Sequence, residues 1–373
     1  MMEPKDFVEH LDQLGIDFYT GVPDSLLKDL CAYITEQCPA DNHVIAANEG
    51  GAVALAAGYH LATGKAGVVY MQNSGTGNAV NPLLSLADPD VYAIPMLVVI
   101  GWRGEPGIHD EPQHKKQGRV QEALLGALGY RYEVMAEDPQ EAFAQLASLV
   151  AEMKSKSTPV ALLVRKGAFS GYKMAQGEVP AYAMTREDAI RIILDSLSED
   201  DRVVSTTGMA SREIYELRDA AGQGHGKDFL TVGSMGHALM IALGIARFHK
   251  GAVYCLDGDG AAIMHLGSLA VAASVKPTNL RHIILNNGAH DSVGGQPTIG
   301  FSLGFNSIAK ELGYAAGFRA ETPEALKSAL AGLAVVDGPG LLEVRVRGGA
   351  RKDLGRPKTT PVENKAAFME NLQ

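Results

Sequence analysis

The sequence contains little cysteine and tryptophan and lacks any long apolar run. Of its 373 residues, 3 are cysteine and 1 is tryptophan. Cys31, Cys38 and Cys255 form neither a paired disulfide framework nor the spacing of a metal or iron–sulfur site, which predicts a reduced, cytoplasmic setting. No apolar run approaches the ~18 residues that span a membrane, so we expect no membrane partner. The charged N-terminus MMEPKDFVEHLDQLG predicts an amphipathic helix and not a signal peptide.

Basic residues are scarce relative to acidic ones. The sequence has 33 Lys and Arg against 43 Asp and Glu, which gives a formal net charge of -10. This balance argues against nucleic acid as a partner, although it leaves room for a local basic pocket that holds a small anion. Hydrophobic residues at 46% and charged residues at 20% fit a globular core. The length fits about two domains of ~150 residues each.

Strand-like and helix-like segments alternate in both halves of the chain. In the first half we predict helices at 25–34 and 50–62 and strands at 16–20, 43–47, 66–72, 96–101 and 160–164. In the second half we predict strands at 203–204, 229–232, 253–256, 283–285 and 341–346. The alternation predicts an α/β fold with two doubly wound parallel sheets.

The stretch 169–185 interrupts this alternation. It carries two glycines, a proline and several aromatic residues without helical periodicity, which predicts an interdomain linker. Thr185 and Asp188 then have the spacing of a helix start. We therefore predict a first domain at 1–168 and a second domain at 186–373, with a basic, glycine-rich tail at 348–358 before a short terminal helix.

The strongest chemical signal is Gly258-Asp259-Gly260 followed by Asn286-Asn287. Both motifs come directly after strand-like runs, where open α/β sheets bind ligands. Carboxylate and amide oxygens suit a magnesium ion that carries a diphosphate, and glycines let the backbone approach the phosphates. Gly-Asp-Gly alone also occurs in ordinary turns. Together with the asparagine pair and the strands, it indicates a thiamine diphosphate (thiamine pyrophosphate) site.

Four longer stretches carry a resemblance to a known family. They are GVPDS at 21–25, GWRGEPGIHDEPQHKKQGR at 101–119, NNGAHDSVGGQPT at 286–298 and GARKDLGRPKTTPVENK at 349–365. With them the chain resembles the thiamine diphosphate-dependent decarboxylases, and most closely the phosphonopyruvate decarboxylases, with the sulfopyruvate decarboxylases as nearest relatives. The resemblance covers nearly the whole chain. It implies a pyrimidine-binding domain, a diphosphate-binding domain and no middle domain.

The resemblance assigns cofactor roles to residues in both halves. Glu49 would hydrogen-bond N1′ of the aminopyrimidine and promote deprotonation of the thiazolium C2; otherwise it is a first-turn glutamate favoured by the helix dipole. Met235 would hold the cofactor in its V shape, or it fills core space. The metal would be bound by Asp259, Asn287 and the Ala289 carbonyl. Other implied cofactor contacts are Asn73, Gly75, Thr76, Thr207, Gly208, the Gly233 carbonyl, Gly258, Gly260 and the backbone of Ala261, which stands where the family often has a hydroxyl.

Substrate residues are sought in three other regions. Asp24 and Ser25 follow the first strand, and in related decarboxylases the matching serine touches the substrate carboxylate; it could equally cap the next helix. The loop 101–119 and the tail would supply cationic side chains for the tetrahedral phosphonate of the substrate; the alternative is that these side chains are only exposed to solvent. The candidate cations are Arg103, Lys115, Arg351, Lys352 and Arg356, and the candidate proton donors are His109, His114 and His290.

The activity that the resemblance implies is decarboxylation of 3-phosphonopyruvate to 2-phosphonoacetaldehyde and carbon dioxide in phosphonate biosynthesis, with thiamine diphosphate and Mg²⁺. In this superfamily the cofactor lies between domains of different subunits, so we expect a homodimer or a multiple of it. Sulfopyruvate decarboxylase, or another thiamine diphosphate-dependent decarboxylase or oxidoreductase, is the alternative. A non-enzymatic binding protein would not need Glu49 together with the metal motif.

Overall fold

The computed structural model of the protein describes residues 1–175 and 182–372. They belong to two compact units, Met1–Gln176 and Gly177–Gln373. Each unit contains a six-stranded sheet whose paired strands all run parallel. The predicted α/β fold with two parallel sheets is therefore confirmed.

The first unit builds its sheet in the order β2-β1-β3-β4-β6-β5. Its strands are β1 Tyr19–Gly21, β2 His43–Ile45, β3 Gly67–Gln72, β4 Met96–Gly101, β5 Tyr132–Val134 and β6 Val160–Val164. Its helices are α1 Pro4–Gln13, α2 Lys28–Gln37, α3 Glu49–Thr63, α4 Thr76–Pro82, α5 Pro112–Leu128 and α6 Pro139–Lys156.

The second unit builds its sheet in the order β11-β12-β10-β9-β7-β8. Its strands are β7 Arg202–Ser205, β8 Asp228–Leu230, β9 Val253–Gly258, β10 Leu280–Asn286, β11 Ala316–Ala320 and β12 Gly340–Arg345. Its helices are α7 Arg186–Asp195, α8 Met209–Ala220, α9 Ala238–Ala246, α10 Asp259–Met264, α11 Gly267–Val275, α12 Phe305–Leu312, α13 Pro323–Ala334 and α14 Pro361–Glu370.

The central strands are apolar because helices cover both faces of each sheet. In β3, Val68 and Tyr70 join one core cluster, whereas Val69 and Met71 join the cluster on the opposite face. The second sheet is likewise enclosed by two buried clusters. A parallel strand that is buried on both faces appears in sequence as a continuous run of Val, Ile and Leu, and such runs carried the strand predictions.

The strand orders create a crevice in each unit. From β1 the chain moves to β2 on one side and then to β3 on the other, and from β7 it moves to β8 and then to β9 in the same way. Ligands of open α/β sheets bind beyond the carboxyl ends of the strands at such a point of reversal. The loops after β1, β3, β7 and β9 are therefore the places where functional side chains can meet.

Several predicted elements required correction. The strand expected at 16–20 is shorter and shifted to Tyr19–Gly21, and the helix expected at 25–34 begins only at Lys28. The strands β5 and β11, one edge strand of each sheet, were not predicted, because both are short and carry polar residues at partly exposed positions. Residues 112–119 of the predicted polar loop 101–119 belong to helix α5, which begins at Pro112 and ends before Gly129, a residue in the left-handed conformation.

The predicted linker 169–185 is described only in part, because residues 176–181 lie outside the described residues. Before them, Phe169 is buried in the core of the first unit and contacts Phe7 edge-on. After them, Thr185 caps α7 through a reciprocal hydrogen-bond pair with Asp188, which confirms the predicted helix start. Among the described residues, no helix combines the length and apolarity needed to cross a bilayer.

Candidate active site

Glu49 occupies the first turn of α3, beyond the carboxyl end of β2. Asn48 caps this helix by accepting a hydrogen bond from the Gly51 N–H at 2.9 Å. The Glu49 side chain is buried, with 5% exposure, and its Oε2 accepts from Asn78 Nδ2 at 2.8 Å. A helix start thus presents a buried carboxylate that one amide holds in place.

The loop after β3 fits closely against this carboxylate. A Cβ at Gly75 would lie 2.3 Å from Glu49 Oε1, so only glycine lets the two segments approach. The neighbouring Asn73 exchanges hydrogen bonds with the Arg103 backbone, and Thr76 Oγ1 donates to Gln121 at 3.4 Å. Gly75 therefore lies against Glu49, with Asn73 and Thr76 in the same loop, and their contact with the cofactor stays a prediction.

Asp24 is the second buried carboxyl at this edge of the first sheet. It is fully buried, and its Oδ2 accepts from the backbone N–H groups of Leu26 and Leu27 at 2.9 and 3.2 Å. Oδ1 has no hydrogen-bond partner among the described residues. Burial raises the pKa of Asp24 to about 6. Asp24, and not Ser25 as the alternative interpretation supposed, caps this turn.

Arg103 joins the loops after β1 and β4. Its guanidinium makes a two-pronged contact with Asp110, at 2.8 and 2.5 Å, and donates through Nη1 to Ser25 Oγ at 2.7 Å. Burial alone would raise the pKa of Asp110, but the Arg103 guanidinium outweighs it and lowers that pKa to about 2. Ser25 and Arg103 are thus neighbours, and Asp110 balances the charge of Arg103.

The remaining candidate residues from the stretch 101–119 lie in different environments. His109 is exposed in the loop before α5, and Lys115 is exposed on that helix. His114 lies on the buried side of α5, where burial lowers the pKa of its imidazole to about 4. The helix explains this outcome, since adjacent residues point in different directions along it.

The metal motif of the second unit lies at the carboxyl end of β9. Asp259 opens α10 and is 2% exposed, and burial raises the pKa of its carboxyl to about 6. Thr298 Oγ1 donates a short hydrogen bond to Asp259 Oδ2 and accepts from the Gly300 N–H at 3.0 Å. A Cβ at Gly300 would lie 2.4 Å from the same oxygen, so glycine lets this loop close over Asp259.

The glycines on either side of Asp259 leave its surroundings accessible. A Cβ at Gly258 would meet no atom within 4 Å, whereas one at Gly260 would lie 2.9 Å from the His290 ring. Ala261 is buried in the first turn of α10 and lines the same cleft. The cleft therefore admits a ligand beside Gly258 without displacing a side chain.

The asparagine pair after β10 divides into two roles. Asn286 is fully buried and donates to the Gly300 carbonyl at 2.8 Å and to Glu343 at 3.0 Å, so it orders the loop. Asn287 lines the cleft, and its Oδ1 accepts from the Ala289 N–H at 3.1 Å. Register pairs Leu285 with Gly258, which aligns the asparagine pair with Asp259 across the two strands.

The loops after β7 and β8 complete the cleft. Thr207 lines it, and Gly208, with φ of 96°, turns the chain into α8. Met235 also lines the cleft, and its Cε would lie 3.4 Å from a Cβ on Gly260. Gly233 belongs to the loop between β8 and α9. These contacts place Met235 beside the metal motif and not within the apolar core.

His290 also lines this cleft. Burial lowers the pKa of its imidazole to about 4, and its backbone N–H donates to the Gln296 carbonyl at 2.8 Å. The ring is neutral at pH 7 and lies against Gly260. It can shape the cleft or accept a proton, but it carries no positive charge there.

The basic tail is fastened to acidic residues of its own unit. Arg351 contacts Glu187 at 3.2 Å, Asp353 at 3.2 Å and Glu216, and the Gly355 N–H donates to Glu216 at 2.5 Å. Lys352 and Arg356 are exposed. Three carboxylates thus balance Arg351, which reduces the positive charge that the sequence had suggested for this tail.

Behind the metal motif, Cys255, Asp257 and His282 form a buried trio that sequence spacing did not reveal. Their potential ligand atoms lie within 4.8 Å of one another. The trio brings together two strands, because register places His282 opposite Cys255. Burial raises the pKa of the Cys255 thiol well above its usual value.

The cleft of the second unit fits a hard cation carrying a diphosphate. Asp259 and Asn287 offer oxygen atoms, and the Ala289 carbonyl is the predicted third ligand. The open face of Gly258 and the start of α8 after Gly208 leave room for phosphate oxygens beside backbone N–H groups. Helix α10 has only 6 residues, so its dipole contributes less than the predicted helix after Asp259 suggested.

The sequence did not reveal the hydrogen-bond partners of the predicted site residues. Four of them each hold a predicted site residue: Asn78 holds Glu49, Asp110 holds Arg103, Thr298 holds Asp259 and Asp291 holds Asn287. Asp291 and Thr298 both lie within the stretch 286–298, but no local sequence pattern indicates which site residue each of them contacts.

Comparison with known proteins gives a consistent result. Residues 4–124 match the family described as "Thiamine pyrophosphate enzyme, N-terminal TPP binding domain", and residues 206–344 match "Thiamine pyrophosphate enzyme, C-terminal TPP binding domain". The phosphonopyruvate decarboxylase of Streptomyces viridochromogenes is 36% identical to the chain, over 97% of the chain and 93% of that protein. The phosphonopyruvate decarboxylase of Streptomyces hygroscopicus is 35% identical, over 99% and 94%.

A related family lies further away. The sulfopyruvate decarboxylase of Methanosarcina acetivorans is 28% identical, over 78% of the chain and 77% of that protein. The predicted resemblance is therefore confirmed over nearly the full chain. The chain belongs to the phosphonopyruvate decarboxylase family of thiamine pyrophosphate enzymes.

Proposed function

We propose that the protein decarboxylates 3-phosphonopyruvate to 2-phosphonoacetaldehyde and carbon dioxide, with thiamine diphosphate and Mg²⁺. The observation that carries this proposal is the cleft where Asp259 and Asn287 offer oxygen atoms beside the open backbone of Gly258. Such a site suits a magnesium diphosphate, and full-length similarity to phosphonopyruvate decarboxylases supports the substrate. The first unit would be the pyrimidine-binding domain and the second the diphosphate-binding domain.

The protein's residues would bind and orient the cofactor through both units. Asp259, Asn287 and the Ala289 carbonyl would hold the metal. Thr298 donates a hydrogen bond to one Asp259 oxygen, which leaves the other oxygen available as a ligand. Met235, which lines the same cleft, would support the bent form of the cofactor. When bound, thiamine diphosphate supplies the electron sink that accepts the electrons released as carbon dioxide leaves.

Glu49 would share a proton with the pyrimidine nitrogen. Its Oε2 is held by Asn78 at 2.8 Å, and Oε1 lies in the space that the missing side chain of Gly75 leaves open. A carboxyl fixed in this way can hold a proton at one atom in one direction, which general acid–base catalysis requires. Burial excludes water that would otherwise compete for that proton.

Asp24 is a better candidate for the proton donor than the three histidines that the sequence indicated. Its pKa of about 6 allows it to be protonated near neutral pH, and its Oδ1 has no partner among the described residues. The imidazoles of His114 and His290 have pKa values of about 4 and are neutral at pH 7, and His109 is exposed in its loop. Ser25 and Arg103 would contact the anionic substrate beside Asp24.

The proposed enzyme is a homodimer or a multiple of it, with Glu49 and Asp259 of different subunits acting on one cofactor. Exposed apolar side chains support an interface: Leu55 and Leu61 on α3 are 36% and 73% exposed, and Val271 on α11 is 48% exposed. Co-expression of Glu49→Gln and Asp259→Asn chains should restore up to about a quarter of wild-type activity through mixed dimers. A fully active monomer would contradict this arrangement.

The test of substrate choice compares kcat/KM for 3-phosphonopyruvate, sulfopyruvate and pyruvate, with purified protein, thiamine diphosphate and magnesium. We expect the highest value for 3-phosphonopyruvate. Preference for pyruvate, or no turnover of 3-phosphonopyruvate, would defeat the proposal.

Sulfopyruvate is the second candidate substrate. A sulfonate carries one negative charge fewer than a phosphonate dianion and needs fewer cations. Arg103 is balanced by Asp110, and Arg351 by three carboxylates, so two of the five predicted cations are already neutralised. A kcat/KM for sulfopyruvate above that for 3-phosphonopyruvate would select this reaction.

A further inference from the structure

The amide of Asn287 is held in one orientation by two contacts. Its Nδ2 donates to Asp291 Oδ2 at 2.6 Å, and its Oδ1 accepts from the Ala289 N–H at 3.1 Å. A flipped amide would place its oxygen against the Asp291 carboxylate and its NH₂ group against the Ala289 N–H. Both contacts would then be repulsive, so the two contacts hold Oδ1 and Nδ2 in the observed positions.

Asp291 is the point where several parts of the second unit converge. Its Oδ2 accepts from Asn287 Nδ2, from Arg186 Nη1 at 3.0 Å and from the Gly349 N–H at 2.9 Å. Arg186 is itself fixed by a two-pronged contact with Glu213 at 2.8 and 3.0 Å. The Arg186 and Glu213 side chains are 8% and 2% exposed, so the Asp291 carboxylate is anchored from inside the protein.

We propose that Asp291 is a positioning residue for the metal site, which it serves by fixing the Asn287 amide with its oxygen toward the cation. This inference rests on the proposed metal site. Arg186 holds the Asp291 carboxylate through Nη1 while it also pairs with Glu213, so we infer that the carboxylate acts on Asn287 as a hydrogen-bond acceptor held in place. The Gly349 N–H attaches the start of the C-terminal tail to the same oxygen.

The size of the effect follows from the role of groups that orient metal ligands. Loss of such a partner typically weakens metal affinity ~10- to 100-fold. Without Asp291, the Asn287 amide can rotate and present NH₂ to the cation in part of the population. The metal affinity should fall, while kcat at saturating metal changes much less, because the ligand itself is retained.

The experiment measures Mn²⁺ and Mg²⁺ affinity in the presence of thiamine diphosphate, by isothermal titration calorimetry and by electron paramagnetic resonance of bound Mn²⁺. Asp291→Ala removes the acceptor. Asp291→Asn can keep an oxygen at the Oδ2 position without the charge. Glu187→Gln is the matched control, since Glu187 contacts the tail through Arg351 at 3.2 Å and is not a partner of Asn287. Thermal unfolding of each metal-free variant checks the fold.

We expect the metal Kd to rise ~10- to 100-fold in Asp291→Ala and less than about threefold in Asp291→Asn and Glu187→Gln. An unchanged Kd in folded Asp291→Ala would overturn the proposal. If the metal Kd rises as much in Asp291→Asn as in Asp291→Ala, the effect comes from the charge of Asp291. If it rises as much in Glu187→Gln, the effect comes from the tail. Either result would overturn the proposal. If Asp291→Ala fails to fold, a metal Kd raised ~10-fold or more in Asp291→Asn still overturns the proposal.

The Asn287→Ala variant separates this inference from the proposed function. If Asn287→Ala binds metal as tightly as the wild type does, the metal site itself is wrong. If Asn287→Ala abolishes binding and Asp291→Ala does not weaken it, only the positioning role is wrong.

Discussion

Replacing Gly75 by alanine should disable the enzyme without unfolding it. A Cβ at this position would lie 2.3 Å from Glu49 Oε1, whereas ordinary contact begins near 3.4 Å. The carboxylate must therefore move by roughly 1 Å, and a displacement of this size at a reacting group can cost ~10²-fold in rate. We expect kcat/KM to fall ~10²-fold, equivalent to about 2.7 kcal/mol of transition-state stabilisation.

Gly77→Ala is the matched control. Gly77 lies two residues further on in α4, and a Cβ there would meet no atom within 4 Å. This variant should keep wild-type activity and gain up to about 1 kcal/mol in stability, because alanine favours helix over glycine. Decarboxylation kinetics and thermal unfolding of both variants provide the assay. Gly75→Ala activity within about threefold of wild type would refute the proposed role of the Glu49 carboxylate position.

Three further predictions concern the buried carboxyls and the metal. Burial raises the pKa of Asp24 from 3.8 to about 6, so the stability it contributes is full below pH ~4 and lost as pH rises through 6. Between pH 3 and 7, the free energy of unfolding measured in urea should therefore fall by about 3 kcal/mol less for Asp24→Asn than for wild type; equal pH dependence would contradict this. Thr298→Val, which removes the hydroxyl held by Asp259, should raise the metal Kd ~10-fold in calorimetry, and an unchanged Kd would exclude Thr298 from the site. Chelation with EDTA should abolish decarboxylation and added Mg²⁺ should restore it, whereas activity that persists after dialysis against chelator would argue against a required metal.

The sequence predicted the centre of each sheet better than its edges. The strands β3, β4, β6, β9 and β10 are apolar runs that are buried on both faces, and the runs alone revealed them. The edge strands β5 and β11 have partly exposed polar positions and resemble loops in sequence. The charged run QHKKQGR concealed α5, although Pro112 at its start and Gly129 after its end were available signals.

The site was predictable where its residues follow strand ends and unpredictable where they meet across the fold. Asp259 and Asn287 come directly after β9 and β10, so their juxtaposition follows from parallel pairing. The hydrogen bonds of Asn78 to Glu49 and of Thr298 to Asp259 join different loops, and no sequence period encodes them. The tail looked cationic in sequence because two of the three acidic partners of Arg351, Glu187 and Glu216, lie far from it along the chain.

The most direct measurement follows 3-phosphonopyruvate by ³¹P NMR, with wild-type protein and the Glu49→Gln variant, thiamine diphosphate and Mg²⁺. We predict that the wild type converts the substrate resonance into that of 2-phosphonoacetaldehyde with release of carbon dioxide. The folded Glu49→Gln variant should be slower by at least ~10²-fold, because the amide cannot hold the shared proton. Absence of the product with wild type, or equal rates for the two proteins, would contradict a decarboxylase that works through Glu49.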